Sequence, residues 1–155
     1  MSASIKKTLR VAVPVELAFV AFTEHVDAWW PPGHRKFEAS TLQFEAWVGG
    51  RFFETAGSGD HALLGEVLRW EPPRRLTYSW WPGAGAGPTE VDVQFVSEGD
   101  STLIEVTHSE ADSGIGADWP KRVQRFLRGW DSVLASFAEH CVTHPGGKSN
   151  ERVPS

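Results

Sequence analysis

The sequence predicts an α+β domain in which a seven-stranded antiparallel sheet curls around one long C-terminal helix. Between about residues 41 and 109, turn dipeptides recur at nearly regular intervals between β-rich runs, the pattern of a meander of hairpins. From Asp118 to about His140 the apolar residues keep to one helical face, as a helix laid on a sheet requires. The chain has 155 residues, 41% of them hydrophobic and only one a cysteine, enough for one core without disulfides or a structural metal.

Ile5, Leu9, Val11 and Val13 occupy odd positions from Ser4 to Val13, so this segment reads as a strand that Pro14 ends. Val15, Ala18, Phe19 and Phe22 then follow i, i+3, i+4, i+7 spacing on a helix that Pro14 is suited to open. A second short helical piece runs to Trp29-Trp30, where Pro31-Pro32-Gly33 stops it. Six strands are then expected: Thr41 to Val48, Arg51 to Ala56, His61 to Glu71, Arg74 to Trp81, Thr89 to Ser97 and Ser101 to His108. Gly49-Gly50, Gly57 to Asp60, Pro72-Pro73, Pro82 to Pro88 and Gly99-Asp100 separate them.

Asp118 is a suitable N-cap for the long helix, with Pro120 in its first turn. Val123, Phe126, Leu127, Trp130, Val133, Leu134, Phe137, Ala138 and Cys141 fall within roughly 140° at 100° per residue. Lys121, Gln124, Arg125, Arg128, Ser132 and Glu139 take the other side. The concave face of a curled sheet is the partner available to so broad a stripe. Residues 1–144 are therefore expected to form one domain, and the polar stretch 145–155 a disordered tail.

Composition excludes several classes. One cysteine cannot form an internal disulfide, and a net charge of −5 is the wrong sign for a general nucleic-acid binder. No apolar run approaches the roughly 20 residues that span a bilayer, and Met1 to Arg10 is not a signal peptide, so a cytoplasmic location is expected. Eight tryptophans against one tyrosine are unusual for this size, and a solid core is not the only place for such amphipathic rings.

The segments Ala21-Phe22-Thr23, Trp29-Trp30-Pro31, Gly49-Gly50-Arg51-Phe52, Gly65-Glu66-Val67, Pro72-Pro73-Arg74-Arg75-Leu76, Tyr78, Trp80, Thr107-His108 and Gly129-Trp130 occur in this order. Together they resemble the activator of Hsp-90 ATPase homologue family, part of the START-like (SRPBCC, polyketide cyclase-like) superfamily, over about residues 4 to 142. The resemblance implies a helix-grip fold with a cavity between sheet and helix, which superfamily relatives use to carry lipids, sterols or hormones, or to cyclise or dehydrate polyketides. The chain has no room for the separate N-terminal domain of a full-length cochaperone of this kind, which places chaperone activation last among the expectations.

On such a fold, alternation selects the inward residues. Val91, Val93 and Phe95 share a face, as do Ile104, Val106 and His108. His108 thus ends an apolar row, either as a ligand hydrogen-bonder or general base, or as a histidine satisfied by backbone at the sheet edge. If Phe52 points inward, so does Glu54, where burial would raise its carboxyl unless an arginine or His108 pairs with it; if Phe53 does, the assignment reverses. Glu45 is the other acidic candidate. Trp80 and Trp130 are expected on the cavity wall, with plain core packing as the alternative. Trp29 and Trp30 are placed at the mouth, Trp119 at the start of the long helix, and Trp47, Trp70 and Trp81 on outer faces or hairpin ends.

The run Gly83-Ala84-Gly85-Ala86-Gly87 joins strand to strand, unlike phosphate-binding glycines, which join strand to helix, and is expected as a flexible rim. His140 and His144 stand beside Cys141 without a third ligand, so neither metal nor cofactor is expected, and Cys141 is an inert core thiol. Arg122, Arg125 and Arg128 form a solvated helix face or, alternatively, a docking patch for an acidic partner.

The leading expectation is a pocket for a small hydrophobic molecule, aromatic or lipid-like, bounded by Trp30, Phe52, Glu54, Tyr78, Trp80, Val93, Phe95, Ile104, His108, Phe126, Trp130 and Leu134. One alternative is a cyclase, dehydratase or isomerase using His108 with Glu54 as acid and base. Another is a chaperone-activator-like interaction module. The chain is expected as a monomer or homodimer.

Overall fold

A computed structural model describes residues 4–81, 88–110 and 119–143. Strand β1 (Ile5–Val11) leads to helices α1 (Val15–Thr23) and α2 (Val26–Trp29) and a 3₁₀ turn (Pro32–His34). Six strands follow, β2 (Ser40–Phe44), β3 (Arg51–Ala56), β4 (His61–Glu71), β5 (Arg75–Trp80), β6 (Thr89–Glu98) and β7 (Ser101–Ser109), before helix α3 (Trp119–Thr143). The seven strands form one sheet in the order β1-β7-β6-β5-β4-β3-β2, with every neighbouring pair antiparallel. The α+β class, the antiparallel sheet and the C-terminal helix are as expected.

Local chemistry explains the shifted boundaries. Strand β2 ends at Phe44, short of Val48, because Trp47 N–H bonds the Glu45 carbonyl and Gly50 N–H the Trp47 carbonyl, closing a compact turn. Gly49 takes φ 89° in that turn, a left-handed value that glycine adopts freely. Strand β5 starts at Arg75 because Arg74 N–H turns back to the Glu71 carbonyl at 2.8 Å. Pro14 stands just before α1, where its carbonyl accepts the first helical bond from Ala18. Asp118, the glycine-rich 83–87 run, His144 and the 145–155 tail lie outside the described residues.

Alternation places the core as expected. Val91, Val93 and Phe95 on β6 and Ile104, Val106 and His108 on β7 are buried. On β3 the inward residue is Phe52, and Glu54 goes with it. Gly65 on β4 accommodates a close strand approach, since a Cβ there would lie 1.7 Å from the Ser79 carbonyl oxygen.

Aromatic rings fill one end of the concavity. Phe22 meets Phe95 at 5.7 Å and Phe137 at 5.3 Å between ring centroids, and Phe19 meets Phe95 at 5.1 Å and Trp70 at 5.2 Å. Trp29 lies inside this cluster rather than at a mouth, 4.9 Å from Phe137, with its indole N–H on the Ala21 carbonyl. Helix α1 therefore fills this end of the space under α3, and open volume remains toward the N-terminal part of α3.

Candidate functional site

The open volume is a cavity of about 190 Å³ between the N-terminal half of α3 and the row Tyr78, Val91 and His108, which lie opposite one another on β5, β6 and β7. Its lining comprises Trp30, His34, Tyr78, Trp80, His108, Arg125, Phe126, Gly129, Trp130 and Val133. Six of the twelve expected residues are in this set: Trp30, Tyr78, Trp80, His108, Phe126 and Trp130.

The other six are buried but stand elsewhere, and strand register accounts for most of them. Val93 is one inward step along β6 from Val91, and Phe95 the next, opposite Ile104. Those steps lead toward α1, where Phe19 and Phe22 already occupy the space against Phe95. Phe52 forms a layer behind the wall, stacked on Phe44 at 4.0 Å and edge-on to Tyr78 at 5.4 Å. Leu134 packs in the core one position beyond the lining Val133.

Glu54 is 1% exposed, yet its carboxylate serves a loop. It accepts the backbone N–H groups of Lys36 and Phe37, both at 2.9 Å, and the Ser40 hydroxyl at 2.7 Å. Burial alone would raise its pKa, but these donors and the nearby Arg35 charge outweigh it and hold the carboxyl below its ordinary value. Arg35 ties the same loop to α2, donating to the Asp27 carboxylate at 2.7 Å and the Trp30 carbonyl at 2.8 Å. Glu54 and Arg35 thus position Trp30 and His34 on the wall. Glu45 is likewise structural, paired with Arg51 at 2.9 Å.

His108 is 1% exposed and held at both ring nitrogens. The Trp130 indole N–H donates to Nδ1 at 3.0 Å. An indole nitrogen can only donate, so Nδ1 carries no proton and Nε2 does. Nε2–H therefore donates to Thr89 Oγ1 at 2.8 Å, and the Thr89 hydroxyl donates onward to the Trp80 carbonyl at 3.2 Å. Burial pushes the pKa down to about 4, so the ring is neutral. Its partners are side chains rather than the expected backbone group. Glu54 and His108 form no pair: their strands are four places apart in the sheet, roughly 19 Å along it, and each has other partners.

Tyr78 is fully buried, and its hydroxyl has no hydrogen-bond partner among the described residues. Burial raises its pKa strongly, so the phenol keeps its proton.

Four lining residues fell outside the expected set: His34, Arg125, Gly129 and Val133. Val133 was on the apolar stripe. Gly129 carried a readable signal, because a glycine inside a helix costs about 1 kcal/mol relative to alanine and calls for a local reason. Arg125 belongs to the solvated face of the helix, where it is exposed, and also forms the rim of the cavity.

Among the described residues no helix is long and apolar enough to cross a membrane, and no group of three metal-ligating side chains occurs. The family profile described as activator of Hsp90 ATPase homolog 1-like protein matches residues 12–141. No curated protein is similar at a significant level. Among solved structures, the anthrahydroquino-γ-pyrone synthase Txn09 is 31% identical, with a TM-score of 0.61, over 89% of this chain and 96% of its own. CalU16 from Micromonospora echinospora is 28% identical, with a TM-score of 0.64, over 87% of this chain and 71% of its own. PFC0360w, an HSP90 activator from Plasmodium falciparum, shares the fold at 21% identity and a TM-score of 0.61, over 94% of this chain and 97% of its own.

Proposed function

The chain belongs to the activator of Hsp90 ATPase homolog 1-like family, and we propose that it binds a small, largely apolar aromatic molecule in the cavity between α3 and the sheet. The observation that carries this reading is the cavity itself, about 190 Å³ walled by Trp30, Trp80, Phe126 and Trp130. An apolar cavity of about 150 Å³ is enough to hold benzene, whereas drug-sized ligands use about 300 Å³ or more. The fitting ligand has one substituted ring or two small fused ones. Lipids and sterols would need α3 to move away from the sheet.

Because indoles form the wall, a bound ring changes their emission. Titration with single-ring and fused-ring aromatics is expected to quench intrinsic fluorescence and raise the melting temperature together. If a diverse panel leaves both unchanged, the reading fails.

Similarity to Txn09 supports a second reading, in which the same cavity holds a substrate for ring closure. In that case it acts by confining the substrate, since both His108 nitrogens are engaged and Glu54 is held by the 36–40 loop. Product formation from a candidate substrate, retained in a Glu54→Gln variant that still folds, distinguishes this from simple binding. Chaperone interaction has the family name and a likeness of fold in its support, and stimulation of a chaperone ATPase is its test.

A further inference from the structure

The buried part of the cavity wall leaves one polar request unmet. Trp130 Nε1 is used by His108, Trp30 Nε1 donates to the His34 carbonyl at 3.1 Å, and both His108 nitrogens are occupied. Tyr78 Oη alone of the wall's buried side-chain polar atoms has no partner among the described residues. Leaving a buried hydroxyl unpaired is costly, and a donor without an acceptor is the rarer deficit in folded proteins. Phe44 and Phe52 pack on the Tyr78 ring, and Tyr78 is part of the cavity lining.

The rim makes a second, independent demand. Arg125 lines the cavity yet is exposed, and it forms no ion pair with a described residue. Lys121 and Arg128 share its helical stripe at i−4 and i+3, are also exposed, and form no ion pair with a described residue. In a chain of net charge −5, this local surplus of positive charge borders the opening of an apolar hole and favours an anion there.

We propose that the ligand is an aromatic carboxylate with a hydrogen-bond acceptor at the far end of its ring. The acceptor meets Tyr78 Oη inside, the ring lies between Trp80 and Trp130, and the carboxylate stays at the rim beside Arg125. This rests on the cavity being a binding site and adds the ligand's chemical class and orientation.

Calorimetric titration with three probes of one shape tests it: 4-acetylbenzoate, 4-isopropylbenzoate, which lacks the acceptor, and methyl 4-acetylbenzoate, which lacks the charge. Each is measured on the wild type, Tyr78→Phe and Arg125→Gln. The affinity ratio of 4-acetylbenzoate to 4-isopropylbenzoate is expected to fall about fivefold on Tyr78→Phe. Arg125→Gln is expected to weaken both carboxylates about threefold at low salt, to lose that effect at high salt, and to leave the ester unchanged. Tyr78→Phe should melt no lower than the wild type, because it removes an unpaired buried hydroxyl, so misfolding does not confuse the result. Binding of all three probes with ratios that neither variant alters overturns the acceptor and carboxylate assignment while leaving the cavity reading intact. No binding by any probe up to about 10 mM, equivalent to less than about 3 kcal/mol, overturns both.

Discussion

The indole N–H of Trp130 on α3 donates to Nδ1 of His108 on β7 at 3.0 Å, tying the long helix to the sheet through a buried polar bond at the edge of the cavity. The chain of bonds continues through Thr89 to the Trp80 carbonyl, so four residues from three strands and the helix hold one arrangement. It requires a neutral histidine, because protonated Nδ1 would face the indole N–H with a second donor.

That requirement predicts a pH dependence. The folded-state pKa of His108 lies at about 4, below its ordinary 6.5, so between those values the unfolded chain binds the proton and the folded one does not. Stability is fully present above about pH 6.5 and falls as pH drops toward 4, by about 3 kcal/mol in total. Glu54 and Asp92 are held below 4.5 and 3.8, so their loss begins at lower pH. Urea unfolding from pH 7.5 to 4.5 should show the slope in the wild type and a much flatter profile in His108→Gln; equal slopes would contradict the assignment.

Glu54→Gln removes the charge that gathers the Lys36 and Phe37 amides and the Ser40 hydroxyl, and turns an NH₂ donor toward donors. We expect a loss of about 2–4 kcal/mol, seen as a lower urea midpoint at unchanged m-value. A change under 0.5 kcal/mol would mean the loop does not depend on this carboxylate.

Gly129→Ala should separate stability from binding. Among the described residues a Cβ there meets only His34 Cε1, at 3.7 Å, an ordinary contact, so the helix gains up to about 1 kcal/mol and the melting temperature rises by about 2–4 °C. The methyl group enters the cavity opening, so aromatic ligands should bind more weakly. Unchanged affinity with raised stability would remove Gly129 from the aperture.

Gly65→Ala tests the strand approach. A Cβ would sit 1.7 Å from the Ser79 carbonyl oxygen and 2.7 Å from its carbonyl carbon, and both of these Ser79 atoms belong to backbone, so β4 and β5 must separate. The expected cost is about 3 kcal/mol or more, checked by melting of the purified variant. A near-native melting temperature would show that the bulged β4 adjusts without penalty.

Much of this architecture was legible in the residues. Alternation along β6 and β7 placed Phe95, Ile104 and His108 inward, and the α3 stripe placed Phe126 and Trp130, because inward and outward follow from a fixed two-residue or 3.6-residue period. The Phe52 or Phe53 ambiguity was not resolved by period alone, since both are large aromatics at adjacent positions; burial of Phe52 and Glu54 settles it.

The sequence by itself determined the order of elements, the sheet's antiparallel meander and which face of each element is apolar, all of which follow from local spacing and turn chemistry. Only the tertiary structure decided which inward residues border empty space. That depends on where α1 fills the concavity and how far along β5, β6 and β7 each residue lies from it: Phe95 falls under Phe19 and Phe22, while Tyr78 and His108 fall clear. It also decided partners. Glu54 belongs to the 36–40 loop and His108 to Trp130 because those contacts join segments 14 to 22 residues apart, through backbone amides and ring edges whose directions no residue spacing encodes.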